Sequence, residues 1–305
     1  MGVPAVRRGA SQGRLGAARV PRAALPRVPG ERALSTAPVN GTELAYDSAG
    51  NGPGILLLHA GVGDRRLWDG QTGPFADRHR VVRPDLRGFG ETPLPGGPFS
   101  YVEDVRGLLD HLGIDRAALV ANSFGGRVAL DFTLAHPERV TALVLAAPAV
   151  TGWEGSPQLD AFDEEENTLL DAGRLDEAVE LNLRTWLDGH GRAVAPVAPE
   201  ARAALARMQR HAFDVQLRAY AGSPEPQPTG WSDPPAISRL SEVSAPTLVV
   251  SCTHDQPAFR ELAGRLVEEL PSGEAAVLDT GHVPAFERPE EFNRLALAFL
   301  AENAA

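Results

Sequence analysis

The chain has 305 residues, 43% of them hydrophobic and 23% charged, with a formal net charge of −11. That length can bury a large core, as one large domain or as a domain plus an insertion, and no apolar stretch reaches the roughly 20 residues that a bilayer span requires. Cys252 is the single cysteine, which excludes a disulfide framework or a thiolate metal cluster and accords with a reducing, cytoplasmic setting.

The charge divides by region. All 29 basic residues are arginine, and seven of them (7, 8, 14, 19, 22, 27 and 32) precede residue 35, against the one acid Glu31. From residue 35 onward 22 Arg face 39 acids, a net of −17. So acidic a body disfavours nucleic-acid phosphate and anionic membrane as partners, and a small-molecule substrate is the partner expected. Oligomeric state has no signature here.

Residues 1–36 are rich in Arg, Ala, Pro and Gly without periodicity, and read as a disordered extension. The Arg7-Arg8 pair invites an export-signal reading, but Gly9 to Arg19 is polar where such a signal needs an apolar segment. A dispensable tail or an over-long gene start is the expectation.

From Ala37 the pattern tightens. Val39-Asn40-Gly41 and then Glu43 to Tyr46 read as a turn and an alternating strand. Gly54 to His59 is a buried strand, Arg80 to Asp85 a shorter one, and Leu86 to Gly90 a loop. Tyr101 to Leu112 has helical spacing; Ala117 to Val120 and Val140 to Ala146 are strands that flank a helix over Val128 to Ala135. Strands apolar throughout, alternating with helices, indicate a mostly parallel sheet covered on both faces. From Trp153 to about Val243 no strand is expected, only helices at about 158–171, 174–188 and 199–219 and a Pro-rich loop. The sheet pattern resumes at Pro246 to Ser251, followed by a helix (257–270), a strand from Ala275 to Leu278 and a last amphipathic helix (289–302). The expected organisation is an α/β core over 37–150 and 244–305, with a helical lid over 151–243 covering the carboxyl ends of the strands.

Between the strand ending at Val120 and the helix beginning at Val128, Ala121-Asn122-Ser123-Phe124-Gly125-Gly126 leaves no room for an ordinary loop. Such a turn strains the backbone at its apex and leaves the Ser123 side chain over the end of the sheet, as in the nucleophile elbow G-x-S-x-G, here with Ala121 at the first position. An alcohol needs an adjacent base, and the base a group that fixes its tautomer. His282, in the loop after the last strand, is the base candidate; Asp255, just past the strand ending near Val250, is the acid. All three fall past strand ends, where ligands bind in open parallel sheets, in the chain order Ser, Asp, His. The plainer readings are a helix N-cap for Asp255, a structural loop residue for His282, a loop organiser for His59, and a structural residue pointing away from the acid for His254. Ser251 and Cys252 read as strand-end packing. A tetrahedral intermediate needs two N–H donors at its oxyanion: Phe124 is expected to supply one through its backbone, and Gly61 the other, with Ala60 or Val62 as alternatives. No His or Cys pair has metal-ligand spacing, and the G-x-G-x-x-G spacing of a dinucleotide site is missing at the loop after His59. No metal and no cofactor are expected.

These residues resemble the α/β-hydrolase superfamily over essentially all of 37–303. The resemblance rests on Leu-Leu-Leu-His-Ala-Gly (56–61), Pro-Asp-Leu-Arg-Gly-Phe-Gly (84–90), Asn-Ser-Phe-Gly-Gly (122–126), His-Pro-Glu-Arg-Val (136–140) and Gly-His-Val-Pro-Ala-Phe-Glu-Arg-Pro (281–289). It implies the α/β-hydrolase fold and a Ser–His–Asp hydrolase with an inserted helical cap, and puts Ser123, Asp255 and His282 on the family's catalytic positions. Ala60, Ala121 and Cys252 stand where the family often or usually has Gly.

Substrate is less sharply marked. Val62 to Asp69, with Arg65-Arg66-Leu67-Trp68, is similar to enol-lactonase-like and other small-ester hydrolases. The elbow also resembles that of hydrolases that cut a carbon–carbon bond in ring-cleavage products, although Val283 follows the His where those usually carry an aromatic residue. The expected activity is cleavage of a small carboxylic ester or lactone through an acyl-Ser123 intermediate. A carbon–carbon hydrolase and a catalytically weak ligand receptor are the alternatives. Trp153, Trp186 and Val283 are the first candidates for the pocket wall, with Phe162, His211 and Tyr220 behind them.

Overall fold

A computed structural model describes residues 34–304. Most of the expected N-terminal extension lies outside the described residues, and its end is corrected: the first strand, β1 (Ser35–Val39), already pairs with β2 (Thr42–Ala49) from Ser35 onward. Ser35 and Thr36 are exposed, so they lack the apolar signal that marks Ala37 and Val39. The two-residue turn between the strands, Asn40-Gly41, has φ of 43° and 76°, the left-handed pair that an Asn-Gly hairpin turn requires.

The strands β3 (Gly54–Leu58), β4 (Arg80–Pro84), β6 (Ala117–Asn122), β7 (Val140–Ala146), β9 (Thr247–Cys252) and β10 (Gly273–Leu278) extend this hairpin into an eight-stranded sheet. Its order is β1-β2-β4-β3-β6-β7-β9-β10, antiparallel only where β2 meets β1 and β4. This is the mostly parallel α/β sheet expected from the strand pattern. Along β3, Ile55 and Leu57 pack on one face and Leu56 and Leu58 on the other, the two-residue alternation of a strand covered on both sides. One face carries α1 (Asp69–Ala76) and α9 (Pro289–Asn303), through Phe75, Phe292 and Phe299. The other carries α2 (Tyr101–His111), α3 (Phe124–Ala135) and α7 (Pro257–Glu269), through Leu108, Phe132 and Leu266.

Helices α4 (Pro157–Asp171), α5 (Leu175–Asn182) and α6 (Pro199–Tyr220) form a block between β7 and β9. The helix expected over 174–188 changes character: after Asn182 it widens into a π-helical turn, Leu183–Asp188, and stops at Gly189, φ 75°. A Cβ at Gly189 would lie 2.2 Å from the His254 carbonyl oxygen, so only glycine fits. One expectation is overturned within this region. Pro226–Pro228 form a short strand, β8, paired in parallel with β5 (Gly97–Phe99); a three-residue strand with two prolines has no strand signature in sequence. Helix α1 and the four-residue α8 (Pro284–Glu287) were also not foreseen. Gly70, Gly73 and Pro74 give α1 a low helix propensity, and its burial under α9 overrides that.

Candidate active site

Ser123 sits between β6 and α3 with φ 53° and ψ −114°. A non-glycine residue in that region costs of order 1–3 kcal/mol and persists only when its surroundings impose it. Here the Ser123 N–H donates to the Ala146 carbonyl (3.0 Å), and the Ser123 carbonyl accepts from Arg127 N–H (3.1 Å) and Ala149 N–H (3.0 Å). The two glycines that follow are set by close approach. A Cβ at Gly125 would fall 2.3 Å from the Leu58 carbonyl oxygen, and one at Gly126 2.6 Å from Pro148 Cβ. Helix α3 therefore begins directly at Phe124, four residues earlier than its apolar spacing indicates.

Three side chains meet at the ends of three strands. His282 Nε2 lies 2.6 Å from Ser123 Oγ, and His282 Nδ1 lies 2.9 and 2.8 Å from the two Asp255 carboxylate oxygens. Each is at most 2% exposed. With Nδ1–H donating to the carboxylate, Nε2 is left as an acceptor for the serine hydroxyl. The cap reading of Asp255 fails, since Gln256 occupies the N-cap of α7 and makes no side-chain cap bond. Trp186 and Phe259 enclose the imidazole, with ring centroids 4.7 and 4.5 Å away. The His282 N–H donates to the Trp186 carbonyl (2.9 Å), so the π-helical turn holds the histidine loop directly.

A second buried carboxylate fixes that loop from behind. Glu287 Oε1 accepts from Gly281 N–H (2.6 Å) and its Oε2 pairs with Arg192 at 2.9 Å. Burial pushes the Glu287 carboxyl up to about 6, against the pull of Arg192. His59 is the loop organiser anticipated. Its ring accepts from Leu86 N–H at Nε2 (2.9 Å) and donates from Nδ1 to the Ala60 carbonyl (2.9 Å), and burial lowers its pKa to about 4. His254, read as a structural residue that points away from the acid, pairs with Asp279 (3.0 Å).

Gly61 and Val62 occupy the middle of a turn closed by Gly63 N–H on the Ala60 carbonyl (3.2 Å). Gly61 and Phe124 both line the cavity over Ser123, where the sequence places the two oxyanion donors. Gln209, from α6, turns its amide nitrogen toward this turn and donates to the carbonyls of Gly61 (3.3 Å) and Val62 (3.1 Å). The motif at 84–90 supplies the opposite wall. Asp85 accepts from the N–H groups of Arg65 and Glu91 (2.9 Å each), and Phe89 stands edge-on to His59 (5.1 Å) and reaches the cavity.

The helical block closes the cavity with Phe162, Trp186 and Phe213. Of the three wall residues expected, only Trp186 is there. Trp153 packs edge-on against Phe259 (4.8 Å), and Val283 is buried in the apolar packing beneath the block. His211 caps the Gly90 carbonyl (2.9 Å). Asp163, Glu166, Asn182 and Gln216 also line the cavity, polar positions that no motif announced. Only the i, i+4 spacing of Phe162 and Glu166 hinted that both share one helix face. Among the described residues no group of three His, Cys, Asp or Glu is placed to hold a metal ion, and no helix is long and apolar enough to cross a membrane.

Residues 55–295 match the model of the alpha/beta hydrolase family. The 2-hydroxy-6-oxononadienedioate/2-hydroxy-6-oxononatrienedioate hydrolase of Burkholderia vietnamiensis is 32% identical over 276 residues, covering 86% of this chain and 92% of its own. Among solved structures, Est816, described as an N-acyl homoserine lactone degrading enzyme, shares 29% identity at a TM-score of 0.66, over 85% of this chain and 97% of its own. The enol-lactonase of Burkholderia xenovorans, 24% identical with a TM-score of 0.69 over 87% and 99%, shares the fold.

Proposed function

The chain belongs to the alpha/beta hydrolase family, and from that premise we propose that it is a serine hydrolase that cleaves a small carboxylic ester or lactone through an acyl-Ser123 intermediate. Ser123 Oγ attacks the carbonyl carbon while His282 Nε2, 2.6 Å away, takes its proton. Asp255 holds the imidazole tautomer and stabilises the imidazolium that forms. The backbone N–H groups of Phe124 and Gly61 receive the oxyanion. Collapse of the tetrahedral intermediate returns the proton from His282 to the leaving alkoxide. A water, deprotonated by the same nitrogen, then hydrolyses the acyl-serine. The block over 151–243 acts as a cap that shapes the acyl and alcohol pockets and keeps bulk water from the intermediate.

A carbon–carbon hydrolase is the competing reading, favoured by the 32% identity to the dienedioate hydrolase. One observation supports the ester or lactone reading over it. The cavity over Ser123 is lined by two carboxylates, Asp163 and Glu166, and by no arginine or lysine among the described residues. A dienedioate is an anion, and above pH 7, where Glu166 is ionised, such a wall repels it. The test is Ser123-dependent turnover of p-nitrophenyl butanoate and of a γ-lactone, set beside a vinylogous 1,5-diketone acid. Preference for the ester or lactone is the expected result; preference for the diketone acid would reverse the assignment.

A further inference from the structure

The ceiling of the cavity is not uniformly apolar. Asp163 and Glu166 lie three positions apart, one turn of α4, on the helical face that also carries Phe162, and all three line the space above Ser123. Glu166 is only 9% exposed. Its Oε1 accepts from Asn182 Nδ2 (2.5 Å), and that nitrogen is fixed in turn by the Ala178 carbonyl (2.9 Å). Glu166 Oε2 has no hydrogen-bond partner among the described residues. Burial pushes the Glu166 carboxyl up to about 7. An arrangement that holds one oxygen of the Glu166 carboxylate and leaves the other accessible from the substrate cavity offers an acceptor already oriented for a donor. The other polar groups on the wall, Gln209 and Gln216, are engaged with backbone carbonyls of the core loops.

We propose that Asp163 and Glu166, oriented by Asn182, form a subsite that takes an N–H donor of the substrate, an ammonium or an amide, and that turns away substrates carrying a carboxylate. The inference rests on the reading of Ser123 as the nucleophile of an ester or lactone hydrolase and deepens it. The carbonyl binds over Ser123 while the donor group, on the same molecule, reaches up to α4. Selection is by differential binding: the same wall that attracts a donor repels an anion of equal size.

The test uses p-nitrophenyl hexanoate and three analogues whose terminal carbon bears an ammonium, an acetamido or a carboxylate group, assayed at pH 8 with the plain hexanoate as each variant's own reference. For the unaltered protein, kcat/KM for the ammonium or the acetamido ester should exceed that for the carboxylate ester at least tenfold. A gain confined to the ammonium ester identifies a cationic group as the occupant; a gain for the acetamido ester identifies an amide. In Glu166→Gln the advantage over the carboxylate ester should fall at least threefold, and Asp163→Asn reads the same quantity should the first variant fail to fold. A carboxylate ester turned over as well as or better than both donors overturns the subsite while leaving the hydrolase reading intact. If no ester shows Ser123-dependent turnover, the hydrolase reading falls. Calorimetric binding of hexylammonium and of hexanoate then decides the subsite separately: tighter hexylammonium sustains it, and equal, tighter or undetectable hexanoate and hexylammonium binding overturns it.

Discussion

Asn122, the residue before the strained serine, donates from Nδ2 to the His282 carbonyl at 3.0 Å and to the Ala146 carbonyl at 2.8 Å. One side chain thus ties the end of β6 to the histidine loop, 160 residues away in sequence, and to the neighbouring strand β7. The distance between Ser123 Oγ and His282 Nε2 is set from the backbone side by this amide. Asn122→Ala strands the buried His282 carbonyl, worth about 1–3 kcal/mol when unpaired, and leaves the Ala146 carbonyl with the Ser123 N–H alone. We expect a loss of roughly 2 kcal/mol in urea unfolding and a fall of about 10- to 100-fold in kcat/KM as the base drifts. Asn122→Asp, which sets a carboxylate against the same carbonyls, should be worse on both measures. Full activity in both variants would deny Asn122 this role.

The elbow tolerates no side chain at Gly125, where a Cβ would meet the backbone oxygens of Leu58 at 2.3 Å and His59 at 2.8 Å. Backbone on both sides cannot yield as a flexible side chain would, so Gly125→Ala should destabilise by about 3 kcal/mol or more and abolish activity. Gly264, inside α7 with open space around its Cβ position, provides the contrast. Gly264→Ala should stabilise by about 0.5–1 kcal/mol through the unfolded chain and the helix propensity. Thermal melts of the two variants check both signs together.

Glu166 makes stability fall as pH rises from 4.5 to 7. Its carboxyl stands at about 7 in the folded protein, raised by burial from an ordinary 4.5. Below pH 4.5 the group is protonated in both states and contributes no penalty. Between 4.5 and 7 the unfolded chain gives up its proton first, so the folded state is increasingly penalised, by up to about 3 kcal/mol above pH 7. Glu166→Gln removes the titration, and its stability relative to the parent should rise from pH 4.5 to pH 7 and then level off. Urea unfolding at pH 5 and pH 8 measures the gap; a gap of the same size at both would contradict the buried, raised carboxyl.

His59 acts on the acid side with the opposite slope. Its pKa is lowered by burial to about 4 from 6.5, so the unfolded chain takes up a proton first as pH falls from 6.5 to 4. Stability is therefore lost across that window. His59→Gln can still accept from Leu86 N–H through its amide oxygen but does not titrate, and its stability curve should be flatter between pH 6.5 and 4. An unchanged acid slope in the variant would assign the loss to other groups.

Ser123, His282 and Asp255 were legible from sequence because each follows a strand of continuous apolar residues and stands beside small residues that permit a tight loop. Their chain order then does the rest. The sheet was legible for the same reason: strands such as Leu56 to Leu58 are buried on both faces and read as apolar runs. What sequence could not convey is which side of an amphipathic helix faces which neighbour. Asp163, Glu166 and Gln209 look like ordinary solvent-facing positions until α4 and α6 are folded over the sheet. Trp153 and Val283 fail in the reverse sense, as large or neighbouring apolar residues that pack beneath the cavity and do not line it. The β5–β8 pairing joins residues 97–99 to 226–228, a contact whose three prolines erase the local signature.

The central claim is that Ser123 carries the acyl group. It is tested most directly by mixing the protein with a p-nitrophenyl ester, quenching within one turnover and weighing the intact chain, alongside steady-state kinetics of Ser123→Ala. The account predicts a mass increase equal to the acyl group on Ser123 and a loss of kcat of about 10⁶-fold in the variant. A Ser123→Ala protein that keeps most of its turnover, or an acyl group found on another residue, would contradict it.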